Sequence, residues 1–302
     1  MIESRLVDFF AYQCHARDQV VAEREVVLTY ALHLLANRGV CARIAFKGGT
    51  ALRKLVFGAG GRFSEDLDFT LYAGDKEEAV IAAFDALDGT THHGITFRMT
   101  EPYETDGSFG AMVTYRHSWN ENGTFKFEVS TRETPTLAVV PRPAIAQPYF
   151  KNLEFGVPDL PALAPIEMIA EKLRAAYQRA KVRDVYDLYL FATLEETKAF
   201  DVDVLRPLMV LKLWQVKEPQ PFDGRAFFER LRGSTFQWDE LTHLLPPGRA
   251  VDVEEMLATI EARFEGLTRL TDLESRVVAD SLSGWNEQLA DQLRAKVRDS
   301  FG

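Results

Sequence analysis

FKGGTALRKLVFGAGGRFSEDLDF, residues 46–69, is the stretch on which the reading of this chain turns. It starts inside CARIAFKGG, a short apolar run that predicts a buried strand entering a tight turn at Gly48 and Gly49. TALRKLVF then has the composition of a helix, with Thr50 expected at its start. In RFSEDLDFTLY, Leu67, Phe69 and Leu71 alternate with Asp66, Asp68 and Thr70, the period of a strand, which turns both aspartates to one face. Glycines after a strand let the backbone approach a ligand closely, and the N–H groups that open a helix favour a phosphate. Two carboxylates side by side suit a hard divalent cation such as magnesium, bridging them to the phosphates of a nucleoside triphosphate. A lone D-x-D is more often a solvated strand edge and a lone GG only a turn, so the chemical reading rests on the four parts coming in this order. Two-metal chemistry needs a third carboxylate. Glu128 in KFEVS is the candidate, with Phe127 and Val129 facing the other way and Glu101 and Glu133 as rivals.

Outward from this stretch, residues 4–37 carry apolar positions at helical spacing and predict two helices, with Leu6, Phe9, Phe10, Val26, Val27, Tyr30 and Leu34 on buried faces. Residues 76–88 predict an amphipathic helix. GITFRMTEPYE, FGAMVTYRHSW and TFKFEVSTRE predict three strands. The stretch from Pro135 to Pro165 is rich in proline and predicts a crossing between domains, with the boundary near Pro161. Beyond it nearly every window is helical. The expected fold class is α+β, a mixed-sheet domain over residues 1–160 followed by a helical domain over 161–302.

At 302 residues, with 46% hydrophobic and 26% charged residues, the composition is that of a folded globular chain rather than a disordered one. No apolar run approaches a membrane span, and the charged N-terminal segment is not expected to act as a secretory signal. Cys14 and Cys41 form no metal-type pair and are expected as thiols in a reducing cytoplasm. A net charge of -10 argues against coating nucleic acid with the whole surface but leaves room for a local basic cleft. Such a run exists: Lys172, Arg174, Arg179, Lys181 and Arg183 occur with no acidic residue between them, either a rim for RNA phosphates or a charged helix surface. The histidines show no metal-ligand spacing, His92 and His93 fall in an expected loop, and none is given a catalytic role. Trp119, Trp214, Trp238 and Trp285 are read as packing residues rather than stacking platforms.

The sequence resembles the nucleotidyltransferase toxins of the AbiEii and MenT group, in the DNA polymerase beta-like superfamily, over most of its length. The resemblance is carried by Gly48, Gly49 and Thr50; by Arg62, Phe63, Ser64, Glu65, Asp66, Leu67, Asp68 and Phe69; and, within IEMIAEKLRAAYQRAKVRDVYDLYLF, by Lys172, Arg183, Asp184 and Asp187. It implies catalytic roles for Asp66, Asp68, Lys172 and Asp187, and nucleotide contacts at Gly48, Gly49, Thr50, Ser64 and Lys172. Lys172 is expected to meet nucleotide phosphates, Asp187 to position Lys172 or the nucleotide, and the helical domain to complete the cleft. From the residues alone, Lys172 equally fits a solvated helix face, and Asp184 the cap of a helix beginning at Val185. The implied activity is transfer of a nucleoside monophosphate from a triphosphate to the 3′ end of tRNA, blocking aminoacylation, with magnesium as cofactor and a cognate antitoxin as partner. A protein or a small hydroxylated molecule is the alternative acceptor class, and a catalytically silent interaction module the alternative of another kind.

Overall fold

The computed structural model describes residues 4–13, 16, 18–118, 120–132, 134–195, 200–215, 222–246, 248–281 and 284–301. Cys14, Trp119 and Glu133 lie outside them, as does the side chain of Leu6. The helices are α1 (Ser4–Gln13), α2 (Gln19–Asn37), α3 (Gly48–Leu52), α4 (Lys76–Leu87), α5 (Pro165–Arg179), α6 (Val182–Thr193), α7 (Val202–Trp214), α8 (Gly224–Gly233), α9 (Asp239–Thr242), α10 (Val253–Phe264), α11 (Asp272–Ser281) and α12 (Glu287–Phe301). The strands are β1 (Ile44–Lys47), β2 (Asp66–Leu71), β3 (Thr91–His92), β4 (Ile95–Glu104), β5 (Ser108–His117), β6 (Asn120–Ser130), β7 (Val140–Arg142) and β8 (Leu160–Ala162). The fold is α+β. It divides into two compact units, residues 1–163 with 242–249, and residues 164–241 with 250–302. The short segment 242–249, which the sequence places in the helical half, thus packs with the first unit. No described helix is long and apolar enough to cross a membrane.

The first unit is built on one eight-stranded sheet, in the order β3-β4-β5-β6-β2-β1-β8-β7. It is mixed: β2 pairs parallel with β6 and β1 parallel with β8, and the other pairs are antiparallel. Alternation along β1, β2 and β6 sends Phe46, Phe69 and Phe127 to one face, where the rings of Phe46 and Phe69 are 5.3 Å apart and those of Phe69 and Phe127 5.5 Å. All three are buried, so Asp66, Asp68 and Glu128 are left on the opposite face. The proline-rich stretch expected as a plain crossing instead supplies β7 and β8 to this sheet. Three-residue strands carrying Pro141 and Pro161 have too little alternation to be read as strands.

α2 runs through the core, and Phe10, Val26, Val27, Tyr30 and Leu34 are buried as expected, with Phe9 partly exposed. α2 starts at an N-cap, Asp18, whose side chain accepts from the Val20 amide. α3 opens at Gly48 rather than at the expected Thr50, with Lys47 as its cap residue, and continues as a π-helical turn over Arg53–Phe57. That turn presents Arg53 and Lys54 to Glu25 of α2. The Arg53 guanidinium lies 3.1 Å and the Lys54 ammonium 2.8 Å from the Glu25 carboxylate, all three side chains being buried. Burial would push the Glu25 carboxyl up, but the two cations override it and hold the group below its ordinary range. Arg53 also donates to the Gly61 carbonyl at 2.5 Å and stacks its guanidinium 4.2 Å over the Phe63 ring, while Lys54 reaches Thr29 and Tyr149. His92, expected in a loop, lies on β3, and the fold gathers it with His93 and with His33 of α2. The spacing of the histidines along the sequence did not show that proximity.

In the second unit α7 is central, buried along most of its length and packed on α5, α11 and α12. Buried ion pairs tie it in: Lys212 lies 2.8 Å from Glu167 of α5, and Arg206 lies 2.8 Å from Glu274 of α11. Among the described residues no strand follows residue 162. Of the tryptophans read as packing residues, Trp214 is buried, Trp238 is partly exposed and Trp285 is 48% exposed, which corrects the expectation for the last. Glu25→Gln removes the counter-charge of two buried cations and is expected to cost about 3–5 kcal/mol of stability. A urea midpoint equal to that of the wild type would show that the triad does not anchor the segment after α3.

Candidate active site

The two glycines fit α3 against β2. Gly48 turns at φ 77°, and a Cβ there would lie 2.3 Å from an Asp68 carboxylate oxygen. At Gly49 a Cβ would come within 2.7 Å of the Arg62 guanidinium and 3.1 Å of Ser64 Oγ. Any side chain at either place would drive the turn away from the strand that carries the aspartates. Thr50, fully buried, donates its hydroxyl to the Asp66 carbonyl and fastens the helix to the start of β2. The two motifs of the sequence are therefore one piece of structure.

Strand register then sets the carboxylates. Asp66 and Asp68 alternate with buried Leu67 and Phe69, so both point to the same face and are partly exposed. On β6, Glu128 stands directly opposite Asp68, and on β1 Lys47 stands opposite Asp68 from the other side. Neighbouring strands are spaced about 4.8 Å apart, so Asp68 and Glu128 form an adjacent pair of like charges. Of the rivals for the third carboxylate, Glu101 sits exposed at φ 49° in the irregular part of β4 and does not join this row. Glu65, just before β2, is drawn instead to Arg24 of α2 at 2.5 Å.

Glu128 has partners that the sequence did not single out. Tyr103 donates its hydroxyl to Glu128 Oε2, and Lys126, two residues earlier on the same face of β6, donates its ammonium to the same oxygen. Tyr103 reaches across Gly110, where a Cβ would be 2.8 Å from its hydroxyl. Burial pushes the Glu128 carboxyl up, but the hydrogen bonds from Lys126 and Tyr103 and the charges of Lys126 and Lys47 hold it below its usual range. Burial and the adjacent carboxylate push the Tyr103 hydroxyl up to about 12, so it stays a donor at neutral pH. The K-x-E spacing was visible in the sequence. Tyr103 was not, because its place depends on the register of β4, β5 and β6.

In the second unit, Lys172 of α5 is held between two aspartates of α6, with Asp184 Oδ1 and Asp187 Oδ2 each 2.9 Å from its Nζ. Its side chain is only 12% exposed, so it is not a solvated helix face. α6 begins at Val182, and Asp184 lies inside its first turn, turned to Lys172 and to Arg179 at 2.8 Å rather than capping a helix at Val185. Arg174 is engaged by Gln178 at 2.7 Å. Much of the basic run is thus neutralised or tied down, with Arg179 and Lys181 exposed and Arg183 partly exposed. Burial pushes the Asp184 carboxyl up, but Lys172 and Arg179 overcome this and hold it well below the usual carboxylate range.

A depressed folded-state pKa gives stability that is present above the unfolded value, about 3.9, and is lost as pH falls through the folded one. Asp184→Asn is therefore expected to lower stability by about 3–5 kcal/mol near neutrality. The deficit should stay constant down to about pH 5 and shrink only below pH 4. Urea midpoints at pH 7, 5 and 3.5 check this, and a deficit that does not change with pH would mean that the aspartate acts by packing instead.

The model of the family described as "Nucleotidyl transferase AbiEii toxin, Type IV TA system" matches residues 32–292. Among solved structures the chain is similar to MenT4, a nucleotidyltransferase toxin from Mycobacterium tuberculosis H37Rv, with 27% identity and a TM-score of 0.82, covering 99% of this chain and 100% of that one. No curated protein matches the chain. With the family pattern running from within α2 to within α12, the chain belongs to the AbiEii family of nucleotidyltransferase toxins.

Proposed function

We propose that this chain transfers a nucleoside monophosphate from a nucleoside triphosphate to the 3′ end of tRNA, releasing pyrophosphate, in a magnesium-dependent reaction that blocks aminoacylation and is restrained by a cognate antitoxin. The observation that carries the proposal is the row formed by Asp66, Asp68 and Glu128 on paired strands, with the Gly48–Gly49 turn fitted against it. The donor set consists of carboxylate oxygens alone, which fits a hard cation such as Mg2+. Asp66, Asp68 and Glu128 are the residues to hold it. A bound divalent ion supplies positive charge at the triphosphate and at the attacking and leaving oxygens.

The protein's own groups do the rest. The turn at Gly48 and Gly49, free of side chains, lets the triphosphate approach the main chain, with Ser64 beside it, while the expected contact at Thr50 is replaced by a buried one that holds the helix to β2. Lys126 and Tyr103 keep Glu128 ionised, so that it can serve a cation or take the proton of the acceptor hydroxyl. Lys172 is proposed to meet nucleotide phosphates, and Asp184 and Asp187 fix its ammonium in one place and lower the cost of immobilising a flexible chain. The tRNA acceptor rests on the resemblance to the AbiEii and MenT group; Lys181 and Arg183 offer a smaller set of phosphate contacts than the sequence suggested.

Asp68→Ala is expected to reduce magnesium-dependent nucleotide incorporation by about 100-fold or more. Its stability should remain within about 0.5 kcal/mol of the wild type or rise, since the change removes one of two adjacent like charges. Tyr103→Phe should retain the fold and lose about tenfold in rate through a less firmly held Glu128. Incorporation of each labelled triphosphate into total RNA, with sequencing of tRNA 3′ ends, measures both. Full activity in Asp68→Ala sinks the site. Unaltered tRNA ends beside strong labelling of a protein or metabolite keep the site and replace the acceptor.

A further inference from the structure

We infer that His33, His92 and His93 form a binding site for a borderline divalent transition metal of the zinc class, separate from the carboxylate row. One ring nitrogen from each of the three lies within 4.8 Å of the others. The residues come from two distant parts of the chain: His33 from the last turns of α2, and the consecutive His92 and His93 from β3 and the turn that follows it, His93 at φ 48°. β3 is the outer edge strand of the sheet, and β4 and β5 lie between it and β6, which carries Glu128. The cluster therefore belongs to another part of the same unit.

The ring contacts are those of a site with its orientation already fixed. His33 Nδ1 and His92 Nε2 face one another at 2.8 Å. Zinc–nitrogen bonds of about 2.0–2.1 Å in a tetrahedron separate two ligand nitrogens by about 3.3 Å, so an ion needs these rings to part by only about half an ångström. His93 Nδ1 is 2.7 Å from a Glu154 carboxylate oxygen. A carboxylate that accepts from one ring nitrogen leaves the lone pair on the other, which is how metal-ligating histidines are commonly oriented. His33 is held by Phe155, stacked at 3.8 Å and 7°, and by the Asn37 amide at 3.1 Å from Nε2, whose oxygen can take an Nε2–H once the amide is rotated.

Ligand type separates the two sites. Three imidazole nitrogens, with a carboxylate close by, favour zinc and its neighbours in the transition series, whereas the aspartate and glutamate row favours magnesium. A bound ion would tie the end of α2 to the β3–β4 hairpin and to the chain near Glu154. That link is structural rather than part of the transfer reaction.

The test uses the full chain purified without a histidine tag and saturated with Mg2+ to fill the carboxylate row. Zinc titration by calorimetry is expected to show one equivalent bound, and Co2+ to develop visible ligand-field bands of a low-coordinate site. Zinc should raise the unfolding midpoint of the wild type by a few degrees. His92→Ala and the milder His92→Gln and His33→Asn should each weaken binding by about 100-fold and abolish the thermal shift, while Asp68→Ala leaves both unchanged. Absence of zinc binding, binding that survives in every histidine variant, or binding lost only in Asp68→Ala would overturn the assignment.

Discussion

Glu25, a carboxylate sealed from water inside α2, sits between the Arg53 guanidinium and the Lys54 ammonium, and the candidate site is placed by that contact. Three buried charges are tolerable only when each is paired and hydrogen-bonded, so the π-helical turn that carries the two cations has little freedom to move. Arg53 passes the constraint on, because the same guanidinium holds the Gly61 carbonyl and covers the Phe63 ring on the approach to β2. Phe63 in turn accepts the 242–249 segment, its amide donating to the Leu244 carbonyl at 2.9 Å. The helix that begins at Gly48 and the strand that begins at Asp66 are thus fixed relative to one another from behind, by groups that touch no ligand.

On the ligand side the same unit carries the opposite arrangement. Asp68 and Glu128 are like charges on neighbouring strands, a pairing that destabilises a sheet unless cations stand nearby. Lys47 and Lys126 supply part of that charge, and Tyr103 adds a neutral donor. A divalent cation would supply the remainder. The aromatic row of Phe46, Phe69 and Phe127 on the reverse face supports the strands that carry this unfavourable pairing.

What the sequence revealed was local. The strand, turn, helix and strand of residues 44–71 could be read because each signal lies within a few residues of the next: two glycines, then alternation that isolates Asp66 and Asp68. Glu128 was accessible through the same alternation on β6. Tyr103 was not, since it meets Glu128 only after β4, β5 and β6 have paired, and neither was Glu25, whose partners lie 28 and 29 residues away. The histidines show the same limit, with His33 and His92 59 residues apart yet in contact. β7 and β8 escaped because three-residue strands containing proline carry no periodicity. The grip of Asp184 and Asp187 on Lys172 lies between these cases: its spacing was visible, but only the packing of α5 on α6 distinguishes a buried clamp from a charged surface.

The central claim is that the Asp66, Asp68 and Glu128 row is a cation-binding nucleotide site. Diffraction from crystals grown with Mn2+ and a non-hydrolysable triphosphate tests it most directly, because manganese replaces magnesium on oxygen ligands and its anomalous signal locates it. The account predicts anomalous density in contact with the Asp66 and Asp68 carboxylates and with the triphosphate, beside the turn at Gly48. Triphosphate and manganese bound elsewhere, with the three carboxylates facing only Lys47, Lys126 and Tyr103, would contradict it.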